Sequence, residues 1–266
     1  VRRAIGLRPL FPTIDAKSGG FLSSVPLPVF IAMLPAPPLD VLVVAPHPDD
    51  AELGMGGAIM QFRSEGLSVG VLDLTNGEPT PYGSPEIRAS ETAAATAILG
   101  LDWRGNLGLN NRSLEHTLEA RAQLAGVFRQ ARPRWVFAPY WTDAHPDHTA
   151  ATELVEAARF WAKLTKTDLP GQPHYPERVL YYYAFHLRQV PQPAMVLDIS
   201  EYWEAKEAAI RCYESQFITG RPTESPTLID RLRHMASTWG FLIGAKYGEP
   251  FASREPIGLT SLRGLS

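Results

Sequence analysis

Two short segments of this chain concentrate side chains that bind metals and move protons. The first reads His47-Pro48-Asp49-Asp50-Ala51-Glu52 and the second Asp143-Ala144-His145-Pro146-Asp147-His148. A catalytic zinc site takes three protein ligands, commonly His and carboxylate, and keeps one position open for water. The ion brings the pKa of that water to about 7, so hydroxide becomes available at neutral pH. A carboxylate that is not a ligand can accept the water's proton. A further His can stabilise an oxyanion or protonate a leaving group. The two segments together supply all of these parts. Either one alone reads equally well as a turn, with Pro fixing φ and Asp capping the next helix. A two-metal phosphoesterase needs ligands for a second ion about 3.5–4 Å away, and Glu52, Asp143 and Asp147 are available for that.

These segments need elements that bring them together. Val41-Leu42-Val43-Val44-Ala45 is a continuous, β-branched apolar run ended by Pro46, which predicts a buried strand. A helix is expected over Leu53 to Gln61. Gly54, Gly56 and Gly57 weaken it and make sense if something approaches the backbone closely. Strands are expected at Val69 to Leu74, Trp103 to Leu109 and Trp135 to Ala138, then near Val179 to Phe185 and Met195 to Ile199. Helices are expected at Glu86 to Leu99, Ser113 to Arg132, Asp147 to Leu164, Glu201 to Tyr213 and Leu228 to Lys246. The β-α alternation over 41–164 predicts an α/β fold, a mostly parallel, Rossmann-like sheet with helices on both faces. Ligands of such sheets bind beyond the carboxyl ends of the strands, where both His segments lie.

Composition sets the outer limits. The chain has 266 residues, a net charge of −3 and 45% hydrophobic residues, as a soluble globular protein does. The charge balance argues against a nucleic-acid partner. The lone cysteine, Cys212, rules out an intramolecular disulfide and a Cys-based zinc site. It fits a reducing compartment, so a cytoplasmic location is expected. No apolar run reaches the roughly 18 residues of a membrane span, and no membrane partner is expected. Arg2 and Arg3 precede the apolar stretch Phe21 to Met33, but Pro26 and Pro28 break that stretch. Residues 1–36 read as a poorly ordered extension and 37–266 as a single domain.

The segments resemble the motifs of the LmbE/PIG-L family of zinc-dependent N-acetylglucosaminyl deacetylases. The family's Ala-His-Pro-Asp-Asp stands here as Pro46-His47-Pro48-Asp49-Asp50, and its His-Pro-Asp-His is intact at His145 to His148. Within the family the chain resembles the bacillithiol-pathway type, which deacetylates N-acetylglucosaminyl malate. Tyr181-Tyr182-Tyr183, Glu204-Ala205-Lys206 and Tyr213-Glu214-Ser215-Gln216-Phe217 are among the matching stretches. The resemblance implies that His47, Asp50 and His148 bind zinc, that Asp49 is the general base and that His145 stabilises the oxyanion. Asp147 would hydrogen-bond His145 and hold its tautomer. Iron(II) suits the same ligand set. Arg88, Asn111 and Arg112 are the candidate sugar-binding residues, and His186 lies in a segment that could reach the pocket. The implied partner is a small N-acetylglucosaminyl conjugate, malate or a chitobiose-like disaccharide. A non-catalytic sugar binder is the remaining alternative. The bacillithiol-type relatives form hexamers, so a homo-oligomer is expected.

Overall fold

The computed structural model describes residues 38–259. The expected extension at 1–36 lies outside the described residues. Seven strands form one sheet. They are β1 (Val41–Ala45), β2 (Val69–Thr75), β3 (Trp103–Leu109), β4 (Trp135–Pro139), β5 (Arg178–Tyr182), β6 (Met195–Asp198) and β7 (Gly248–Ala252). Their order across the sheet is β3-β2-β1-β4-β5-β7-β6. The pairs from β3 through β5 are parallel, and β7 runs antiparallel to both neighbours. The α/β, mostly parallel architecture is the expected one.

Strand β7 was not anticipated. Gly248 and Pro250 disguise it, because proline cannot donate to a ladder and is read as a strand breaker. The structure tolerates Pro250 because β5 pairs only with Phe251 and Ala252. Pro250 lies just past that short pairing, opposite Val196 of β6.

Helices cover both faces, packed against alternate strand residues as the period of 2 requires. Leu42, Val44, Leu72, Leu74 and Val136 face helices α3 (Leu118–Ala131) and α4 (Pro146–Ala162). Val41, Val43, Ala45, Val71 and Phe137 face helix α1 (Asp50–Ser64), with Leu99 at the end of helix α2 (Pro85–Leu99) and Ala209 of helix α5 (Trp203–Arg211). Helices α6 (Glu214–Phe217) and α7 (Leu228–Leu242) complete the described residues. The tyrosine run in β5 alternates in the same way. Tyr181 and Tyr183 join the α3–α4 side and Tyr182 the α1 side, and all three are buried.

Helix α1 starts at Asp50, three residues earlier than the glycine-weakened pattern suggests, and is interrupted at Met55 (φ −151°, ψ 26°). Its glycines are explained by protein neighbours. A Cβ on Gly54 would lie 2.3 Å from the Tyr182 ring, and one on Gly57 would lie 2.7 Å from Ile199. The helix can therefore lie close against β5 and the segment after β6.

Strand order reverses between β1 and β4, the crevice where open α/β sheets bind ligands. The His47 segment leaves β1 and the His145 segment leaves β4, so the topology brings the two together.

Candidate metal centre and active site

The site is built from the turn after β1 and the first turn of α4. The His47 ring lies between two carboxylates, with Nδ1 3.1 Å from Asp50 Oδ2 and Nε2 3.1 Å from Asp147 Oδ2. His148 also lies between two carboxylates, with Nε2 3.3 Å from Asp50 Oδ1 and Nδ1 3.3 Å from Asp143 Oδ2, the latter an ion-pair contact without hydrogen-bond geometry. One ligand atom from each of His47, Asp50 and His148 lies within 4.8 Å of the others, and all three residues are buried. His47, His145 and Asp147 form a second such group that shares His47.

Donor chemistry favours the first group. Metal-ligating histidines characteristically have their second nitrogen held by a carboxylate or carbonyl. Asp147 serves His47 in this way, and the Asp143 carboxylate lies beside His148 Nδ1. In the second group, His145 Nδ1 is already accepting a hydrogen bond from the Asp147 backbone N–H at 3.2 Å. The residues present therefore fit a divalent cation held by two imidazoles and a carboxylate.

Asp49 has a different environment. It occupies the N-cap position of α1 at φ 123°, yet its side chain makes no capping hydrogen bond. A non-glycine residue there stores backbone strain of about 1–3 kcal/mol. The carboxylate is directed at Arg88, whose Nη2 donates to Asp49 Oδ2 at 2.9 Å while Nε donates to the Pro48 carbonyl at 3.1 Å. Burial raises the Asp49 carboxyl to about 7, against the pull of the Arg88 charge. Burial also acts to raise Asp50, but the His148 charge and hydrogen bonds from both rings hold that carboxyl well below the ordinary carboxylate range. Adjacent acids in one turn thus acquire opposite character.

His145 caps α4. Its Nδ1 accepts from the amide two residues on, the usual N-cap geometry. That bond fixes the tautomer with the proton on Nε2 whenever the ring is neutral. The ring favours the neutral form, since burial lowers its pKa and the charges on His148 and His47 lower it further. The expected contact between the Asp147 carboxylate and His145 is not what the structure shows. Asp147 orders His145 through its backbone N–H. Its side chain binds the His47 ring and accepts from the Arg112 and Leu114 amides at 2.8 and 3.2 Å. Helix capping brings the amide, rather than the carboxylate, against His145.

His47, Asp49, Asp50, His145 and His148 open onto one cavity of about 570 Å³, whereas Asp143 and Asp147 do not line it. Asn111 and Arg112 line it, as does the buried Arg88. Arg88 is thus not a solvated helix arginine. Its Nη1 makes no hydrogen bond and lies 3.8 Å from Glu78 Oε1. His186 also lines the cavity, with its ring centroid 5.6 Å from that of His145. Gln216, Phe217, Arg221 and Arg231 complete its far side. The sequence offered a signal for Gln216 and Phe217, in the stretch Tyr213 to Phe217, but none that assigned them a place.

Glu52 lies behind the site. It is fully buried and pairs with Arg104, which also grips Asp73 through two nitrogens, and it accepts from the Tyr213 hydroxyl. Of the acids considered for a second ion, Glu52 pairs with Arg104, Asp143 lies beside His148, and Asp147 belongs with His47 and His145 to the second group.

Comparison with known proteins places this geometry. The family described as PIG-L, GlcNAc-PI de-N-acetylase, matches residues 42–159, which include both His segments. A diacetylchitobiose deacetylase of Thermococcus kodakarensis is 32% identical over 225 residues, covering 79% of this chain and 80% of that protein. A probable N-acetyl-alpha-D-glucosaminyl L-malate deacetylase 2 of Bacillus anthracis is 29% identical over 195 residues, covering 67% of this chain and 82% of that protein. Among solved structures, a conserved protein of Thermus thermophilus superposes with a TM-score of 0.77 at 44% identity, covering 84% of this chain and 97% of that one. The two motif segments, the strand order that joins them and this likeness over most of the chain agree, and the chain belongs to the PIG-L/LmbE family of de-N-acetylases.

Proposed function

We propose that this protein hydrolyses the acetamide of an N-acetylglucosaminyl conjugate, releasing acetate and a free glucosamine amine. One observation carries the reading. A buried carboxylate freed from helix capping, Asp49, faces the same cavity as the converging ligand atoms of His47, Asp50 and His148. Zinc is the ion we assign to those three residues, with iron(II) as the alternative; when bound it supplies Lewis acidity at the reacting centre.

The chain's own residues then divide the work. Asp49 accepts a proton from the water that attacks the acetamide carbonyl carbon. Arg88 holds the Asp49 carboxylate in place for that transfer. His145, with its proton on Nε2, donates a hydrogen bond to the oxygen on which negative charge develops. The C–N bond breaks as the proton held by Asp49 passes to the departing nitrogen. Asn111 and Arg112, which line the cavity, bind sugar hydroxyls in this reading. A two-metal phosphoesterase is less well served, because Glu52 is paired with Arg104 and neither Glu52 nor Asp143 lines the cavity.

Within this reading we assign N-acetylglucosaminyl malate as the substrate. Arg112, Arg221 and Arg231 are exposed cavity residues, whereas the acids of the lining, Asp49 and Asp50, are buried. An anionic aglycone suits such a mouth better than a neutral sugar does. Acetate release by zinc-loaded protein from N-acetylglucosaminyl malate, N-acetylglucosamine and diacetylchitobiose tests this. Fast turnover of the malate conjugate alone supports the assignment. Preferred turnover of diacetylchitobiose keeps the chemistry and removes malate. No release from any of them, with zinc bound, leaves the site standing and reopens the choice of substrate.

A homo-oligomer, up to a hexamer, is the assembly we assign, in the cytoplasm. Phe241 and Leu242 on α7, 81% and 62% exposed, offer apolar surface for a partner copy. Light scattering on the purified protein tests it. No helix among the described residues is long and apolar enough to cross a membrane.

A further inference from the structure

The break in α1 coincides with a buried ion pair that the proposed chemistry does not use. Lys206 of α5 and Glu249 of β7 are 4% and 2% exposed, and Lys206 Nζ donates to Glu249 Oε1. The same ammonium donates to the Leu53 carbonyl at 2.9 Å. The Glu249 carboxylate accepts from the Gly57 N–H at 3.0 Å and the Ala58 N–H at 2.7 Å. In an unbroken helix the Leu53 carbonyl and the Gly57 N–H are each other's partners, four residues apart. Met55, with its non-helical dihedrals, lies between them. Each side of the break thus meets one member of the pair, a cation on the carbonyl and an anion on the amides. This matches the sign of the partial charges at a helix C-terminus and N-terminus.

We infer that Lys206 and Glu249 are positioning residues that bridge the break in α1 and fix the direction of its first turn, Asp50 to Leu53. That turn carries Asp50 and follows directly from Asp49. Its direction cannot be set by the remainder of α1, because Met55 interrupts the helix. It is anchored instead from α5 and from β7, the strand between β5 and β6 that sequence patterning did not reveal. The inference rests on the reading of His47, Asp50 and His148 as the metal site.

The experiment compares Glu249→Gln and Lys206→Met with the parent protein and with Arg159→Met. Arg159→Met removes another buried cation, whose partner Glu255 is partly exposed, at a place remote from the cavity. Zinc affinity is read by competition with a chromogenic chelator, and backbone exchange at Gly57 and Ala58 by NMR. Both test variants are expected to lose zinc affinity by about tenfold or more, the size typical of residues that orient ligands. Gly57 and Ala58 are expected to lose exchange protection, and kcat to fall with KM held. Arg159→Met is expected to lower the unfolding midpoint without these changes. Lys206→Arg, which keeps a charged donor, is expected to recover most of the affinity. If Lys206→Met does not fold, Glu249→Gln keeps the side chain's shape and carries the test. Unchanged zinc affinity and unchanged protection in a folded Glu249→Gln protein would overturn the inference. Failure of the parent protein to bind zinc would instead remove the metal-site reading, and the exchange data would still decide whether the pair bridges the break.

Discussion

The turn after β1 and the turn after β4 look alike in sequence, each a His-Pro-Asp followed by another polar ligand, and they solve opposite problems. After β4 the helix start is locally self-sufficient. His145 caps α4, Pro146 occupies its first position and Asp147 ties the β3–α3 connection to it. After β1 little is satisfied locally. Asp49 sits at positive φ without capping, and α1 breaks at Met55 one turn later. The first turn of α1 is instead held by Arg88 from α2, Arg104 from β3 and Lys206 and Glu249 from α5 and β7. A carboxylate that must face the cavity cannot also cap its own helix. The cost of freeing Asp49 is carried by long-range partners, whereas Asp147, which is not a reacting group, can serve structure.

The strongest way to break this contrast is to remove the acid from each turn. Asp49→Ala is expected to keep stoichiometric zinc and lose about 10²–10⁴-fold in kcat, the worth of a positioned general base. Steady-state acetate release alongside a metal count checks it, and full activity would remove the assignment. His148→Ala should lose the metal itself. Asp147→Asn and Asp143→Asn should keep turnover chemistry but weaken zinc binding by about 10–100-fold, because they orient His47 and His148 rather than react.

The same contrast predicts a pH dependence. In metal-free protein, burial lowers both rings but the flanking carboxylates more than offset it, raising His47 to about 9 and His148 to about 10. Both rings therefore carry protons at pH 7, and a cation must displace them. Zinc affinity should rise with pH through this range, with up to two protons released per ion. Calorimetry in buffers of differing ionisation enthalpy counts them. Uptake without proton release would show that both rings are already neutral in the metal-free protein.

What could be read from sequence divides along the same line. The strands β1 to β4 and the helices between them follow from short apolar runs and local caps such as Gly100, so the sheet and the crevice were legible. The helix start after β4 was legible too, through Pro146 at its first position, although His145 rather than an Asp caps it. The supports of the β1 turn were not. Arg88 and Asp49 are 39 residues apart, Glu52 and Arg104 52 apart, and Glu249 and Gly57 192 apart. No periodicity reports such pairs. The glycines of α1 did signal a close approach, but not that Tyr182 and Ile199 make it. Asp147 does hydrogen-bond His145, but through its backbone N–H while its side chain binds the His47 ring, a division that residue type alone does not disclose.

The smallest effect gives the most specific test, since it asks for opposite signs at two N-caps. His145→Ala removes the α4 cap and should cost about 1 kcal/mol of stability. Asp49→Gly cannot be judged in the parent protein, because it leaves the buried Arg88 without its carboxylate. In an Arg88→Met background that objection disappears. There Asp49→Gly relieves the backbone at φ 123° and removes a buried carboxylate with no cationic partner. Glycine's extra freedom in the unfolded chain takes back about 0.5–1 kcal/mol, less than the strain of about 1–3 kcal/mol. Urea unfolding of the metal-free proteins, which keeps metal linkage out of the comparison, should show Arg88→Met/Asp49→Gly more stable than Arg88→Met by about 1 kcal/mol. A loss of stability there would mean that Asp49 supports its helix after all, and the distinction between a turn built for chemistry and a turn built for structure would fall.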